Sequence, residues 1–594
     1  MQAKMQAMET RSVPVAAATT VIFFLSGMAL LTAAAVVEHT FVVSQVNMMH
    51  LCRQTLVTVV NGQLPGPVID VTEGDSVVVH VVNRSPYDLT IHWHGVKQKL
   101  NCWADGVPMI TQCPIRSGRN FTYQFSVDGQ EGTLWWHSHV GGLRATLHGA
   151  LIIRPRQGAA AYPFQRPDRE IPIVLGEWWP QTDLSQLDRD LTGGNFNYSP
   201  SAATLNGKLG DQYYGCSGAV EEGHVLDVQP GRTYLLRFIN AVLVSEYYIK
   251  IAGHRFTVVA ADGNYVKPYT TDVIAIAPGQ TVDALFVADA SPGTGSYYMV
   301  AMACQPTLIV PPFPVTMTRG IVRYPSAGVA RQPMAPAMPG THDTDTSFYF
   351  HGNLTGLRRP PVPARADERL LVTLSVGSVC RRQGQASCAR TNAETIIVVN
   401  MNNVSFQLPG RTASLLEAHY GGGGRSGIGA MGLETLPDRP PVAFNFTDPA
   451  LVQRGPREEW LEPTRKAATA RRFRHGSVVE VVFQNTAVMQ TDSNPMHLHG
   501  HDMFILAQGL GNYDQARDVA RYNLVDPPVR NTVLVPSLGW TAVRFVADNP
   551  GVWFLHCHYL FHVSVGMATV FIVEDGNTVD TSLTPPPANF PKCT

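Results

Sequence analysis

The sequence is poor in charge, in long apolar runs and in long amphipathic helical patterns. Only 15% of its 594 residues are charged and the formal net charge is -1, which excludes the basic surface that a nucleic-acid-binding protein needs. With 45% hydrophobic residues, the chain is typical of folded proteins with a sizeable core and not of disordered ones. Beyond the N-terminus, no stretch is long and apolar enough to span a bilayer. A β-rich folded protein is the prediction that remains.

The first 35 residues have the features of a secretory signal peptide. Lys4 and Arg11 form a positive start, an apolar stretch covers residues 13–37, and alanines at 33–35 offer a cleavage site. The alternative is a single membrane anchor, because the apolar stretch approaches ~20 residues. We favour cleavage, since small residues end the stretch and a strand-like segment follows at once. The prediction is a secreted protein that is free of the membrane after cleavage.

Cysteines and sequons agree with export. The chain has nine cysteines, and disulfides form in exported proteins. Cys557 lies between two histidines, as a metal ligand would, which leaves eight cysteines that could pair completely. Six Asn-X-Ser/Thr sequons predict a glycosylated surface. They begin at Asn83, Asn120, Asn197, Asn353, Asn403 and Asn445.

Short β-branched runs, separated by Gly, Pro, Asn and Asp, recur along the chain. Residues 76–82 and 478–483 are two such runs, and this rhythm predicts β-sandwiches. Loosely repeated turns at the starts of strands favour three domains, with a Pro-rich linker before the last. The predicted boundaries are 1–35 for the signal peptide, 36–160 for domain 1, 161–330 for domain 2, and 331–594 for the linker and domain 3.

Four His-X-His pairs contain eight of the 20 histidines. The pairs are His92/His94, His137/His139, His497/His499 and His556/His558. On a strand, residues i and i+2 point to the same face, so each pair presents two imidazoles side by side. A lone strand histidine is usually structural, but four such pairs indicate a cluster of redox metals. Two pairs lie in the first predicted domain and two in the third, so the cluster must lie between those domains.

Cys557 should face away from that cluster, because it alternates with the two histidines beside it. His562 follows five residues later and Met567 ten residues later. A thiolate beside a histidine, with a more distant methionine, is typical of copper sites, although a methionine alone is as often core filler. Electrons could therefore pass from a thiolate site into the histidine cluster along one strand.

These motifs resemble the four copper signatures of the multicopper oxidases. The signatures are Ile91-His-Trp-His-Gly, Trp136-His-Ser-His, Met496-His-Leu-His-Gly-His and His556-Cys-His-Tyr-Leu-Phe-His. Further segments narrow the resemblance to plant laccases, and it runs from about Thr40 to Cys593. Those segments are Trp103-Ala-Asp-Gly, Ile110-Thr-Gln-Cys-Pro-Ile, Gly509-Leu-Gly-Asn-Tyr-Asp and residues 522–532. The resemblance implies an all-β fold of three cupredoxin-like Greek-key β-sandwich domains.

The resemblance also implies four coppers: one type 1, one type 2 and a type 3 pair. The implied type 2 ligands are His92 and His497. The implied type 3 ligands are His94, His137, His139, His499, His556 and His558. The implied type 1 ligands are Cys557 and His562, and Met567 joins them as a candidate ligand because of its spacing from Cys557. Asp105 matches an acidic residue that helps to move protons near the trinuclear centre, which is chemically reasonable because oxygen reduction consumes protons. Asp105 and Cys557 are thus the candidate catalytic residues.

Three disulfides follow from the same resemblance. They are Cys52–Cys216, Cys113–Cys593 and Cys380–Cys388. Cys102 and Cys304 are left over and could pair with each other.

Three positions depart from the family pattern. Asn494 stands where the family has a type 1 histidine, and an amide oxygen suits a soft thiolate copper site less well than imidazole does. Leu560 replaces an acidic residue that delivers protons, which leucine cannot do. Met567 stands where plant laccases usually have leucine and ascorbate oxidases have methionine, and it should lower the redox potential. We therefore expect impaired type 1 chemistry.

The leading interpretation is a laccase-like oxidase of the apoplast or cell wall. It would act as a monomer on small phenols such as diphenols and monolignols, in lignin polymerisation or degradation, and reduce dioxygen to water. One alternative is an ascorbate-oxidase-like enzyme, which Met567 favours and the laccase-like segments disfavour. The other is a copper-binding cell-wall protein with impaired or lost oxidase activity, which Asn494 and Leu560 favour.

Overall fold

The computed structural model describes residues 34–593 except for several internal segments. Those segments are 181–182, 197–198, 291–294, 306–315, 326–331, 358–360, 383–384, 386–387, 389–393, 409, 411, 421–428, 442–444, 446–460 and 489–491. The predicted signal peptide, apart from its last two residues, and the sequon at Asn197 lie outside the described residues. Residues Ala35–Thr594 form one compact unit.

The first part of the chain forms two four-stranded sheets. The strands of one sheet are β1 (Val36–His50), β2 (Arg53–Val60), β4 (Ser76–Asn83) and β6 (Asn120–Ser126), and those of the other are β3 (Ile69–Thr72), β5 (Ile91–His94), β7 (Gly132–Ser138) and β8 (His148–Arg154). The strand orders are β2-β1-β4-β6 and β3-β8-β7-β5. In β4, Val77, Val79 and Val81 are fully buried while the alternate residues are half-buried, because successive side chains of a strand point to opposite faces.

The middle part of the chain forms a six-stranded and a five-stranded sheet. The six strands are β9 (Arg169–Trp178), β10 (Ala202–Leu205), β12 (Thr233–Asn240), β14 (Phe256–Ala261), β15 (Asn264–Thr271) and β17 (Thr281–Val287), and the five are β11 (Val225–Asp227), β13 (Glu246–Ile251), β16 (Ile274–Ile276), β18 (Ser296–Cys304) and β19 (Met317–Arg323). The orders are β10-β9-β12-β17-β14-β15 and β11-β19-β18-β13-β16.

The last part of the chain forms a nine-stranded and a six-stranded sheet. The nine strands are β20 (Glu368–Cys380), β21 (Thr395–Met401), β22 (Val404–Phe406), β24 (Glu462–Pro463), β25 (Arg465–Ala467), β27 (Ser477–Asn485), β29 (Met503–Leu510), β30 (Val529–Arg530) and β32 (Gly539–Ala547), and the six are β23 (Glu434–Thr435), β26 (Thr469–Phe473), β28 (Asn494–Leu498), β31 (Thr532–Val535), β33 (Gly551–Cys557) and β34 (Ala568–Val573). The orders are β25-β22-β21-β20-β27-β32-β29-β30, with β24 beside β20, and β23-β26-β34-β33-β28-β31.

Helices are short and lie between strands. The α-helices are α1 (Leu184–Thr192), α2 (Thr344–Gly352), α3 (Leu415–Tyr420), α4 (Gln515–Asp518) and α5 (Leu560–Ser564). Turns of 3-10 helix occupy Cys102–Ala104, Gly141–Ala145, Gly158–Ala161, Cys216–Gly218, Gly429–Met431, Val519–Arg521 and Val579–Thr581. In the described part of the chain, no helix has the length and apolar character needed to cross a membrane. The predicted all-β fold class is confirmed, whereas the domain boundaries stay a prediction.

The first and last parts of the chain share one hydrophobic core, and the middle part has its own. Trp103 and Phe590 illustrate the shared core, with ring centroids 5.2 Å apart. Cys102 belongs to it as well, since its Sγ lies 3.5 Å from the carbonyl oxygen of Val552. Strands from both ends of the chain therefore meet along a packed surface, which brings the four His-X-His pairs within reach of one another.

The three predicted disulfides are confirmed: Cys52–Cys216, Cys113–Cys593 and Cys380–Cys388. The suggested pairing of Cys102 with Cys304 is wrong, because both are free cysteines. Cys102 lies in the shared core, whereas Cys304 ends β18 in the middle part, beside Glu246. The two thiols lie in different parts of the fold and cannot form a disulfide with each other. Elimination left them over as a pair, but the sequence holds no information about where each one lies.

Two of the six candidate glycan acceptors are buried in the folded protein, and glycans at some of the others stay a prediction. Asn83 is fully buried, and its Nδ2 donates to the carbonyl oxygens of Tyr87 and Ile115. Asn403 is also buried, with its Nδ2 3.3 Å from Glu462 Oε2. A glycan cannot be attached to either nitrogen without opening the core. Exposed sequons remain at Asn120, Asn353 and Asn445.

Candidate metal centre

The strand ends bring all four His-X-His pairs together. β5 runs antiparallel to β7 with His92 opposite His137, and β28 runs antiparallel to β33 with His497 opposite His556. The second histidine of each pair ends its strand or lies just beyond it. We call these eight residues the histidine cluster: His92, His94, His137, His139, His497, His499, His556 and His558.

The imidazoles of the histidine cluster lie within metal-binding reach of one another. The ring centroids of His94 and His497 are 3.8 Å apart and stacked, and the Nε2 atoms of His499 and His556 are 3.2 Å apart. Three trios have ligand nitrogens that all lie within 4.8 Å of one another: His92/His94/His137, His92/His497/His499 and His139/His499/His556. Two of these trios combine histidines from both ends of the chain, as the sequence predicted.

Hydrogen bonds fix which ring nitrogen faces the centre. Four Nδ1 atoms lie 2.7–2.9 Å from backbone carbonyl oxygens: His92 to Asp105, His137 to Ser138, His497 to Asn531 and His556 to Cys557. A carbonyl only accepts, so each Nδ1 carries the proton and each Nε2 keeps its lone pair. Among the described residues, the buried Nε2 atoms of His92, His137 and His497 have no hydrogen-bond partner. Oriented, unpartnered imidazole nitrogens fit metal ions such as copper.

His94 is turned the other way round. Its Nε2 lies 3.0 Å from Thr532 Oγ1, and its buried Nδ1 has no hydrogen-bond partner in the described part of the chain. The same hydroxyl lies 3.1 Å from His497 Nδ1. Thr532 thus orients a histidine from each end of the chain, a role that the sequence pattern did not reveal.

Burial favours the neutral imidazole in seven of the eight histidines of the cluster. It lowers the pKa well below the usual range in His94, His137, His139, His497, His499, His556 and His558. A neutral imidazole has the free lone pair that a metal ion requires. Of the eight histidines in the cluster, only His139 is partly exposed, so the cluster is closed to bulk solvent on most sides.

Asp105 lies against the histidine cluster. Its Oδ2 is 3.0 Å from His499 Nδ1, and its Oδ1 is 3.3 Å from His92 Nδ1. The turn that aims this carboxylate depends on the next residue, Gly106, whose φ is +81°. A Cβ there would lie 1.8 Å from the carbonyl oxygen of Ile91, so only glycine permits the turn. The sequence predicted an acid in this place, and the structure locates it at the cluster.

Cys557, His562 and Met567 meet on the other side of β33, and we call them the thiolate site. Cys557 Sγ is 3.3 Å from His562 Nδ1. Asn494 lies beside them, with its Nδ2 3.8 Å from Cys557 Sγ and 3.6 Å from Met567 Sδ. Burial raises the pKa of the Cys557 thiol to about 12 and lowers that of His562 to about 4. Thiolate, imidazole and thioether are donors that suit copper, whereas an amide N–H group is not a metal ligand.

Leu560 begins α5 and is buried, and its backbone N–H donates to the carbonyl oxygen of Leu243 at 2.9 Å. The nearby buried acid is Glu177, whose Oε2 accepts from the backbone N–H of Leu243 at 2.9 Å. Burial raises the pKa of Glu177 to about 7. No motif drew attention to Glu177, because Leu243, through which it lies close to α5, is far away in the sequence.

A small pocket of about 40 Å³ opens beside the thiolate site. Its lining includes Ser493, which directly precedes Asn494, and Tyr559, together with Glu246, Phe348 and Leu510. Glu246 is buried, and its carboxylate oxygens accept from Ser493 Oγ at 3.1 Å and Ser347 Oγ at 2.6 Å. The pocket thus combines the apolar side chains of Phe348 and Leu510 with three carboxylates, those of Glu246, Asp345 and Asp492.

Known proteins resemble this chain over nearly its whole length. Multicopper oxidase profiles match residues 42–158, 169–327 and 435–577. Laccase-15 of Oryza sativa subsp. japonica is 62% identical over 585 residues, which cover 96% of each chain. Laccase-19 of the same organism is 54% identical over 567 residues, which cover 94% of each chain. The solved laccase of Botrytis aclada is 25% identical with a TM-score of 0.68, and covers 93% of this chain and 89% of its own.

The chain therefore belongs to the multicopper oxidase family, whose fold consists of three cupredoxin-like domains and whose cofactor is copper in type 1, type 2 and type 3 sites. Fet3p, a multicopper oxidase that functions in iron import, shares this fold with a TM-score of 0.68 at 20% identity, and the match covers 93% of both chains. Within the family, the curated relatives identify a laccase-like oxidoreductase.

Proposed function

We propose that the protein is a secreted laccase that takes single electrons from phenols and reduces dioxygen to water. The position of Cys557 carries this proposal. Its Sγ lies in the thiolate site, while His556 and His558, on either side of it in the chain, belong to the histidine cluster. Two candidate metal sites are thus connected through adjacent residues, as an electron path requires. Export to the cell wall or apoplast, a monomeric state and glycans at the exposed sequons are parts of the same proposal.

The proposed ligands follow the two sites. In the histidine cluster, His92 and His497 would hold type 2 copper, and His94, His137, His139, His499, His556 and His558 would hold the type 3 pair. In the thiolate site, Cys557, His562 and Met567 would hold type 1 copper. Copper supplies one-electron oxidation at the thiolate site and four-electron reduction of dioxygen at the cluster.

The protein's own groups would orient the cluster histidines, and Asp105 would also hold a proton beside them. Asp105 accepts a hydrogen bond from His499 Nδ1 at 3.0 Å, which aims the other nitrogen of that ring at the centre and places a proton-accepting oxygen beside it. The Arg144 guanidinium donates to the carbonyl oxygen of His558 at 2.9 Å, which holds the chain where it leaves β33. Gly279 lies so close to the His558 ring that a Cβ would approach it to 2.8 Å, so the ring is confined on that face.

The pocket beside the thiolate site would take the phenol. The pocket is small, about 40 Å³, so it would contact the edge of one phenolic ring and would not enclose a molecule with several rings. Phe348 and Leu510 would contact the ring, and the Glu246 carboxylate would accept the phenolic proton as the electron leaves. Ser493 lines the pocket and directly precedes Asn494, which lies beside the thiolate site, so the electron would have a short path from the phenol to that site.

The test is to measure copper content, visible absorption and phenol-dependent oxygen uptake of the secreted, copper-loaded protein. We expect about four coppers per chain, a thiolate-to-copper band and oxygen uptake that requires a phenol. Glu246→Gln should weaken phenol oxidation while the copper content stays unchanged. Oxygen uptake that is equal with and without phenols, or a chain without cluster copper, would contradict the proposal.

A second candidate function is a copper-binding cell-wall protein with little oxidase turnover. The observation in its favour is Asn494, which places an amide where the family pattern has an imidazole ligand. This candidate predicts copper in the histidine cluster, no thiolate-to-copper band and negligible phenol oxidation. The same measurements therefore separate the two functions.

A further inference from the structure

The amide nitrogen of Asn494 lies among the three donor atoms of the thiolate site. Its Nδ2 is 3.0 Å from His562 Nδ1, 3.6 Å from Met567 Sδ and 3.8 Å from Cys557 Sγ. Asn494 is itself buried. The Asn494 NH₂ group therefore lies in the space between the three atoms that would bind a metal. It is at hydrogen-bond distance from His562 Nδ1, whose lone pair a copper ion would use.

Asn485 determines which end of the Asn494 amide faces the site. The backbone N–H of Ala487 donates to Asn485 Oδ1 at 3.0 Å, so the other end of Asn485 is its NH₂ group. That group donates to the carbonyl oxygen of Asp492 at 2.7 Å and to Asn494 Oδ1 at 2.8 Å. The oxygen of Asn494 is thereby held away from the thiolate site, and its NH₂ group is turned towards it. Rotating the amide would leave the oxygen of Asn494 without this donor in a buried place, which is costly.

We propose that Asn494, held in this orientation by Asn485, occupies the metal position of the thiolate site and makes copper there weakly bound and easily lost. Copper must displace the amide to reach His562 Nδ1. Occupancy of the site, and with it electron entry, then depends on the copper supply, whereas the histidine cluster retains its copper. Asn485 is a positioning residue in this scheme. The inference rests on the proposed function, which assigns type 1 copper to the thiolate site.

The first test compares the full-length, copper-loaded protein with Asn494→His and Asn494→Ala during dialysis against a chelator. The readouts are copper per chain and the visible thiolate-to-copper band. We expect the natural chain to lose the band and about one copper first, and Asn494→His to keep both. Asn494→Ala should lose the band more slowly than the natural chain, because the obstructing N–H group is gone. If Asn494→Ala loses it faster, Asn494 acts as a ligand and the proposal is overturned.

The second test uses Asn485→Asp, which keeps the shape but accepts hydrogen bonds instead of donating them. A carboxylate at 485 should draw the Asn494 NH₂ group towards itself and turn the amide oxygen to the thiolate site. We expect copper loss from this site to slow relative to the natural chain. Gln484→Glu is the matched control, because it makes the same change one residue away on the opposite face of β27 and should leave the loss rate unchanged. Equal loss rates for the two variants would overturn the role of Asn485.

The outcomes also separate this inference from the proposed function. If Asn494→His shows no visible band when fully copper-loaded, the thiolate site is not a type 1 site, and both fail. If the natural chain keeps its band through dialysis as long as Asn494→His does, only the inference fails.

Discussion

Asp105 contacts two histidines of the cluster. It is fully buried, and its side chain faces His499 and His92. A buried carboxylate that contacts the histidine cluster can both orient the imidazoles and exchange protons.

Replacing Asp105 should slow oxygen reduction without removing copper. Asp105→Asn keeps an acceptor for His499 Nδ1 but cannot take up a proton at neutral pH. We expect phenol-dependent oxygen uptake to fall by about 10²-fold or more, as is usual when a proton-transfer group is lost. Steady-state oxygen uptake with a copper count on the same sample checks this. Full activity in Asp105→Asn would show that another group supplies the protons.

His148 should make the protein sensitive to acid. It is buried, its Nδ1 donates to the carbonyl oxygen of Arg144 at 2.9 Å, and burial lowers its pKa to about 4. Because the folded pKa lies below the usual value of about 6.5, its contribution to stability is complete above that value and is lost as the pH falls towards 4. Over this range the loss is about 3 kcal/mol.

The measurement is denaturant unfolding of the natural chain and His148→Asn at pH 7 and pH 4. Asparagine can still donate to the Arg144 carbonyl but does not titrate. The decrease in unfolding free energy between the two pH values should be smaller in His148→Asn. An identical decrease in both proteins would mean that His148 is already protonated, or still solvated, in the fold.

At the scale of secondary structure, the segment that contains β30 and β31 supports the histidine cluster through hydrogen bonds to its imidazoles. Asn531 and Thr532 bind cluster imidazoles, and the segment is anchored to the turn after β14 through Arg530 and Asp262. The guanidinium donates twice to the Asp262 carboxylate, both at 2.9 Å, and both side chains are buried. Asp262 also accepts from the backbone N–H of Thr532 at 3.2 Å.

Breaking this anchor should cost stability and loosen cluster copper together. Asp262→Asn leaves the Arg530 charge buried without its counter-charge, which should lower the unfolding free energy by about 3–5 kcal/mol. Lys267→Met is the control, because Lys267 and Asp526 join the same two parts of the chain through an ion pair whose lysine is exposed, and ion pairs at the surface contribute about 1 kcal/mol or less. Denaturant unfolding and copper retention should separate the two variants. Equal effects would mean that Asp262 has no special link to the cluster.

The features of the fold and the site that could be predicted from the sequence are mainly those whose residues lie close together along the chain. The histidines could be predicted because ligands two residues apart on a strand leave a local pattern, and Cys557, His562 and Met567 are close in sequence. Asp262 left no pattern, since it acts on groups that only the fold brings near. Asn485 is close in sequence to Asn494, but no motif marks an asparagine that orients another asparagine. Asn83 was predicted as a surface residue because a sequon carries no information about burial. The sequence showed that Asn494 stands in place of a histidine, but it could not show which end of the side-chain amide faces the thiolate site.

At the scale of the whole molecule, disulfides that close loops of very different length should contribute different amounts to the free energy of unfolding. Cys113–Cys593 joins residues 480 apart, and Cys380–Cys388 joins residues 8 apart. In the chain-entropy account, the longer loop restricts the unfolded chain more. The paired change of Cys113 and Cys593 to serine should lower the unfolding free energy by about 2–5 kcal/mol. The paired change of Cys380 and Cys388 should cost less. Denaturant unfolding under non-reducing conditions gives both values, and the reverse order would refute the entropic explanation.

Because the histidine cluster is divided between the two ends of the chain, its two halves are synthesised at different times. A ribosome releases β5 and β7 early, but β33 is among the last strands to emerge. Throughout most of translation, the first two histidine pairs face no partners. Metal insertion must therefore be a finishing step that takes place on a completed chain, and a protein truncated before β33 should contain no cluster copper.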